Sequence, residues 1–222
     1  MEVLGSIYFQ CMHKSCEMRD AMTIKLDSPI NERYDHLLAV ISSRRFLNNE
    51  GLGLEVPFFI CPFKPEEYAA MMKLIAQLTK QLENKGVHVL CIDLYDLCID
   101  LLKSKGKWTD ILEREPNLPK DQLLELLQNW LDPKKYIIPA IDEKIQKEKP
   151  DVVFLKGVGE VFPYLRSHTI LENLQSAIKD KPVVMFFPGD YVQTENGNTS
   201  LVLFGRLHNK YYRASNIYHY QI

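Results

Sequence analysis

The chain has 222 residues, enough for one compact domain with a sizeable core and marginal for two. Hydrophobic residues make up 46% and charged residues 25%, a globular balance that excludes a disordered or fibrous chain. The formal net charge of −2 argues against strong direct nucleic-acid binding, which depends on Lys and Arg neutralising phosphates.

No apolar run approaches the roughly 20 residues needed to span a bilayer, and no charged-then-apolar signal segment opens the chain. The expectation is a cytoplasmic protein. Cys11, Cys16, Cys61, Cys91 and Cys98 are an odd number, three of them in core-like segments, which fits reduced thiols better than a disulfide framework.

Residues 1 to 21 lack clear periodicity, and Met22 begins a stretch that reads as an ordinary protein start. They are expected to be a leader or atypical extension ahead of a single domain over 22–222. A short extra helix or strand is the other reading. Ile30, Tyr34, Leu37, Leu38 and Ile41 recur at helical spacing after Ser28-Pro29, predicting a capped amphipathic helix. Five strands are predicted: Val56–Cys61, Val87–Asp93, Val152–Lys156, Val183–Phe187 and Leu201–Phe204. The first four are near-continuous apolar runs, as strands buried on both faces require.

Helical patterns separate them. One carries Tyr68, Met71, Met72, Ile75, Leu78 and Leu82, and the next Leu94, Leu97, Leu101 and Leu102. A long helical insertion follows from about Trp108 to Lys147, interrupted by prolines. Leu165, Ile170, Leu171, Leu174 and Ile178 mark the last. Alternating strands and helices predict a three-layer α/β sandwich with a mostly parallel sheet. The segment after Asn196-Gly197-Asn198 should close one edge with antiparallel strands. A degenerate P-loop-like topology is left open.

In such a sheet, ligands bind outside the carboxyl ends of the strands. Asp93 ends a predicted strand, and Gly157, Gly159, Glu160, Arg166, His168 and Asp190 follow soon after predicted strands; these are the candidate ligand-binding residues. The alternative is that the glycines permit tight turns, Arg166 pairs with a carboxylate, and His168 caps or packs at a helix start. Asp93 and Asp96 could bind a hard cation, or sit as helix-start carboxylates favoured by the helix dipole. A phosphate loop needs G-x-x-x-x-G-K-[ST] after the first strand. Cys61-Pro62-Phe63-Lys64-Pro65 stands there, with no glycine and with two prolines that lack an N–H. Gly157-Val158-Gly159 has Phe162 where a dinucleotide fingerprint needs its third glycine. No G-x-S-x-G elbow is present. Cys11, His13 and Cys16 lack a second ligand pair for zinc. No catalytic residue, metal or cofactor is therefore expected.

Several stretches resemble one family. They are Arg44-Arg45-Phe46-Leu47, Gly51–Ile60, Leu90–Leu97, Pro150–Leu155, Gly157–Thr169, Pro182–Gly189 and Leu203–Leu207. Together they are similar to BrxB proteins of the BREX bacteriophage-exclusion systems, from about Met22 onward. The resemblance implies a role in phage defence and host DNA methylation beside the methyltransferase PglX, the alkaline-phosphatase-like PglZ and the ATPase BrxC. It brings no catalytic residue. A non-catalytic assembly protein is expected, with PglZ the first partner to consider. An enzyme or nucleotide sensor using the strand-tip crevice is the alternative. Trp108, Trp130 and Tyr136 in the insertion are the interface candidates, since large aromatic residues anchor protein contacts; the other reading is that most of them pack on the sheet and only one or two stay exposed as an anchor.

Overall fold

The computed structural model describes residues 24–50, 57–178, 180–193, 199–209 and 214–222. Residues 1–21, expected to be a leader or extension and carrying Cys11, His13 and Cys16, lie outside them, as do the Gly51 to Val56 stretch and Asn196-Gly197-Asn198.

The chain opens with α1 (Ile30–Ile41) and a short α2 (Arg44–Leu47). Pro29 stands at the α1 N-cap without a side-chain cap bond; Ser28 Oγ instead accepts from the Lys25 N–H at 3.0 Å. Strand β1 (Phe58–Phe63) leads through a 3-10 turn into α3 (Tyr68–Asn84). Then come β2 (Val89–Asp93), α4 (Leu94–Ser104), α5 (Trp108–Arg114), α6 (Lys120–Trp130) and α7 (Ile138–Glu148). Strand β3 (Val152–Lys156), α8 (Ser167–Ala177), β4 (Val183–Gln193), β5 (Thr199–Leu203), β6 (Leu207–Asn209) and β7 (Ser215–Asn216) complete the order.

The sheet runs β2-β3-β4-β1-β7, every pair parallel, with β5 added antiparallel along the carboxyl half of β4 and β6 along β5. Period-two alternation sends Phe58, Ile60, Leu90, Ile92, Val153, Leu155, Val183, Met185 and Phe187 to one face, against α4, α5, α7 and α8. Phe59, Cys61, Phe63, Val89, Val152, Phe154, Val184 and Phe186 go to the other, against α1, α2 and α3. This is the three-layer α/β sandwich the apolar runs require. The crossovers from β2 to β3 and from β3 to β4 carry their helices on the first face. The crossover from β1 runs the opposite way along the sheet and carries α3 on the second. Parallel crossovers of one hand demand that switch of face.

Several boundaries shift by a residue or two, and two strands run on past their expected ends for one shared reason. Strand β1 continues past Cys61 through Pro62 and Phe63, and β4 continues past Phe187 through Pro188-Gly189-Asp190, where tip loops were expected. Pro62 pairs with Phe187 and Phe63 with Pro188. At Gly189 the partner changes to Leu203 of β5. Sheet pairing thus extends strands across prolines that local propensity reads as breaks. Among the described residues no helix is long and apolar enough to cross a membrane.

Candidate functional site

The parallel strands bring their carboxyl ends to one edge, as the candidate residues require. Connections leave β3 and β1 toward opposite faces, with β4 between them, so a topological switch point lies there. Three separate clusters occupy this edge.

The first is centred on Asp93. As the N-cap of α4, its Oδ1 accepts from the N–H of Tyr95 at 2.9 Å and of Asp96 at 3.3 Å. Lys156 Nζ donates to the other carboxylate oxygen at 2.7 Å. Asp93 and Lys156 are register partners at the ends of β2 and β3, so the sheet itself builds this ion pair. Burial alone would lower the Lys156 pKa, but the bond and charge of Asp93 hold it above its ordinary value. Gly157 follows with φ +80°, and a Cβ there would stand 2.7 Å from Asp93 Oδ1. Glycine is needed both for the left-handed turn and for the close approach. The helix-start reading of Asp93 matches this geometry; Asp96 contributes its backbone N–H to the cap.

The second cluster spans the switch point. The Tyr68 hydroxyl, at the start of α3, donates to the Glu160 carboxylate beyond β3. That bond raises the Tyr68 phenol to about 12, with burial adding to it. The third fills the space over β4. A Cβ on Gly159 would lie 2.9 Å from both Phe204 and Pro188. Phe204 sits edge-on to Phe162, with ring centroids 6.5 Å apart. Arg166 is exposed at the N-cap of α8, and His168 is half-buried in its first turn. Asp190 lies on the β4–β5 hairpin, opposite Val202. Sequence reasoning missed Lys156 and Tyr68. Lys156 was readable as a polar strand end beside the Gly157 turn; the partner of Tyr68 was not, because 92 residues separate it from Glu160.

The insertion forms a second candidate region. Trp108, Trp130 and Tyr136 are half-buried, and the two tryptophans pack against the core. Alternate lysines cover their rings: Lys103 Nζ is 5.7 Å from the Trp108 ring centroid and Lys107 Nζ 5.0 Å from that of Trp130. Lys105 lies over Tyr136 and donates to the Trp130 carbonyl at 2.9 Å. Between α4, α5 and α6 runs an apolar groove of about 220 Å3, floored by Cys98, Leu102 and Ile111. Burial pushes the Cys98 thiol up to about 12, which makes it a poor nucleophile. The exposed apolar residues at the groove are Tyr95, 42% accessible, and Leu112, 50% accessible, rather than the tryptophans.

A family profile described as "BREX protein BrxB" matches residues 90–217. A protein of that description from Bacillus cereus (strain H3081.97) is 36% identical over 190 residues, covering 83% of this chain and 95% of the relative. One from Escherichia coli O9:H4 (strain HS) is 28% identical over 166 residues, covering 75% and 82% respectively. No solved structure matches the chain.

Proposed function

The chain belongs to the BrxB family of the BREX phage-exclusion systems, and from that premise we propose that it is a non-catalytic assembly component, holding another protein of the system. PglZ is the first partner to test, with BrxC and PglX next, and phage exclusion and host DNA methylation are the outcomes the contact serves. One observation carries the reading: at the strand-tip edge, where an α/β protein would place its chemistry, the Asp93 and Glu160 carboxylates are already bonded to the chain's own groups. Both Asp93 oxygens are engaged, Glu160 takes the Tyr68 hydroxyl, and Gly159 is covered by Phe204 and Pro188. Pro62 and Phe63, where a phosphate loop would have to open, belong to β1 itself. The insertion supports the reading from the other side, since its groove offers apolar area at Tyr95 and Leu112. Trp108 lines that groove, while Trp130 and Tyr136 lie nearby under Lys107 and Lys105, so the proposed contact surface is the groove with its exposed rim.

Pulldown of PglZ, BrxC and PglX by the purified chain tests this. Wild type should retain PglZ, and Leu112→Asp should weaken retention at least tenfold (on the order of 1.4 kcal/mol) while leaving the fold intact. Retention of none of the three sinks the assembly reading. Nucleotide turnover by the pure protein, abolished by Glu160→Gln, would instead establish the enzyme or sensor alternative.

A further inference from the structure

We propose that the open edge of β2 is a docking site for an extended, basic segment of a partner chain, which adds to the sheet as a further strand. This rests on the assembly reading and names the chemistry of one contact. Strand β2 ends the sheet order, with β3 on one side; among the described residues no strand pairs with its other side. The His88 carbonyl accepts from the N–H groups of Asp151 and Val152, at 2.8 and 3.3 Å, so the main-chain groups of His88 face β3. Period two turns those of Leu90 and Ile92 the same way, and those of Val89 and Cys91 outward. An edge of this kind is a template for strand addition. Its neighbourhood has room: a cleft of about 500 Å3 is lined by Leu90 to Asp93, by Asp96 and Asp100 of α4, and by Lys144 and Glu148 of α7. Cys91 is exposed and small.

Charge selects the occupant. Asp93 and Lys156 neutralise each other. The cleft then holds the carboxylates of Asp96, Asp100 and Glu148 against the one ammonium of Lys144, leaving two negative charges. Asp96 and Asp100 are four residues apart and share one face of α4. A segment with Lys or Arg at alternate positions satisfies both the backbone and these walls. An acidic segment or a nucleic-acid backbone is repelled.

The probe is a nine-residue peptide of alternating lysine and valine, with a glutamate–valine peptide as control, read by amide hydrogen exchange of the full chain. The basic peptide should slow exchange at Val89 and Cys91 at least tenfold, and the acidic one should not. Cys91→Pro removes an outward N–H without touching the β2–β3 ladder, a place where an edge strand tolerates proline. It should abolish the protection at Val89 and lower capture of the operon-encoded partner at least tenfold. The Asp96→Lys, Asp100→Lys double variant leaves the strand intact and should do the same, so the outcome does not hang on one fold. Unchanged exchange at Val89 and Cys91 with the basic peptide overturns the inference, as does full partner capture by the folded variants. If wild type captures no partner, the assembly reading fails, and the exchange data still decide the edge.

Discussion

Helices α3 and α6 carry the same kind of pattern and meet different fates. Each has one apolar stripe at helical spacing. In α3 that stripe, Met71, Leu74, Ile75, Leu78 and Leu82, is fully buried against the sheet. In α6 no residue is buried, and Leu123, Leu126, Leu127 and Trp130 only lean on the core from outside. The sheet has two faces, and α4, α5, α7 and α8 already cover the one that α6 approaches. Periodicity tells a helix which side to hide; it does not supply a surface to hide it against. A helix left in that position is where a fold has apolar area to offer a partner.

The contrast is testable. Leu78→Ala should cost about 2–5 kcal/mol, the range for truncating a leucine in a filled core, whereas Leu127→Ala should cost below about 1 kcal/mol. Urea unfolding of the two variants gives both numbers, and equal costs would erase the distinction. A smaller effect should separate the strand-tip edge from the insertion. Asp93→Ala removes the α4 cap and the partner of Lys156 together, and should destabilise by about 1 kcal/mol or somewhat more. Asp93→Asn keeps a capping oxygen and should recover most of that loss. No recovery would mean that the ion pair, rather than the cap, matters at this edge.

The smallest effect belongs to the bridge across the switch point. Tyr68→Phe removes the donor to Glu160 at an exposed position, and should cost below about 1 kcal/mol. The folded phenol lies above its unfolded value, so its contribution is complete below pH 10 and is lost only as the pH rises through about 12. The difference between wild type and variant should therefore stay flat from pH 7 to pH 9. A difference that shrinks in that interval would show that the phenol titrates early and that the bridge is absent in solution.

Much of the site was readable because it depends on short-range pattern. Asp93 ends a strand and precedes a leucine-patterned helix, so its capping role needs only local geometry. Gly157 follows the next strand, and its positive φ is what a turn at that point calls for. Tyr95 and Leu112 were not legible as the exposed rim, whereas packing of the insertion's tryptophans against the core was one of the readings open from the start. Residue type sets how much apolar area a side chain carries, while exposure depends on which helices stack over it.

The amino-acid sequence by itself determined the alternation of apolar strands and amphipathic helices, the three-layer architecture and the lack of a phosphate loop after β1. Those properties live in periods of two and 3.6 residues and in the chemistry of single side chains such as Pro62. Tertiary structure alone decided that β4 runs on through Pro188 and Gly189, that Lys156 stands beside Asp93, that Tyr68 reaches Glu160, and that β2 is left at an edge. Each of these depends on which distant segments become neighbours. That choice is made by the packing free energy of the whole sheet, to which no local window of the chain has access.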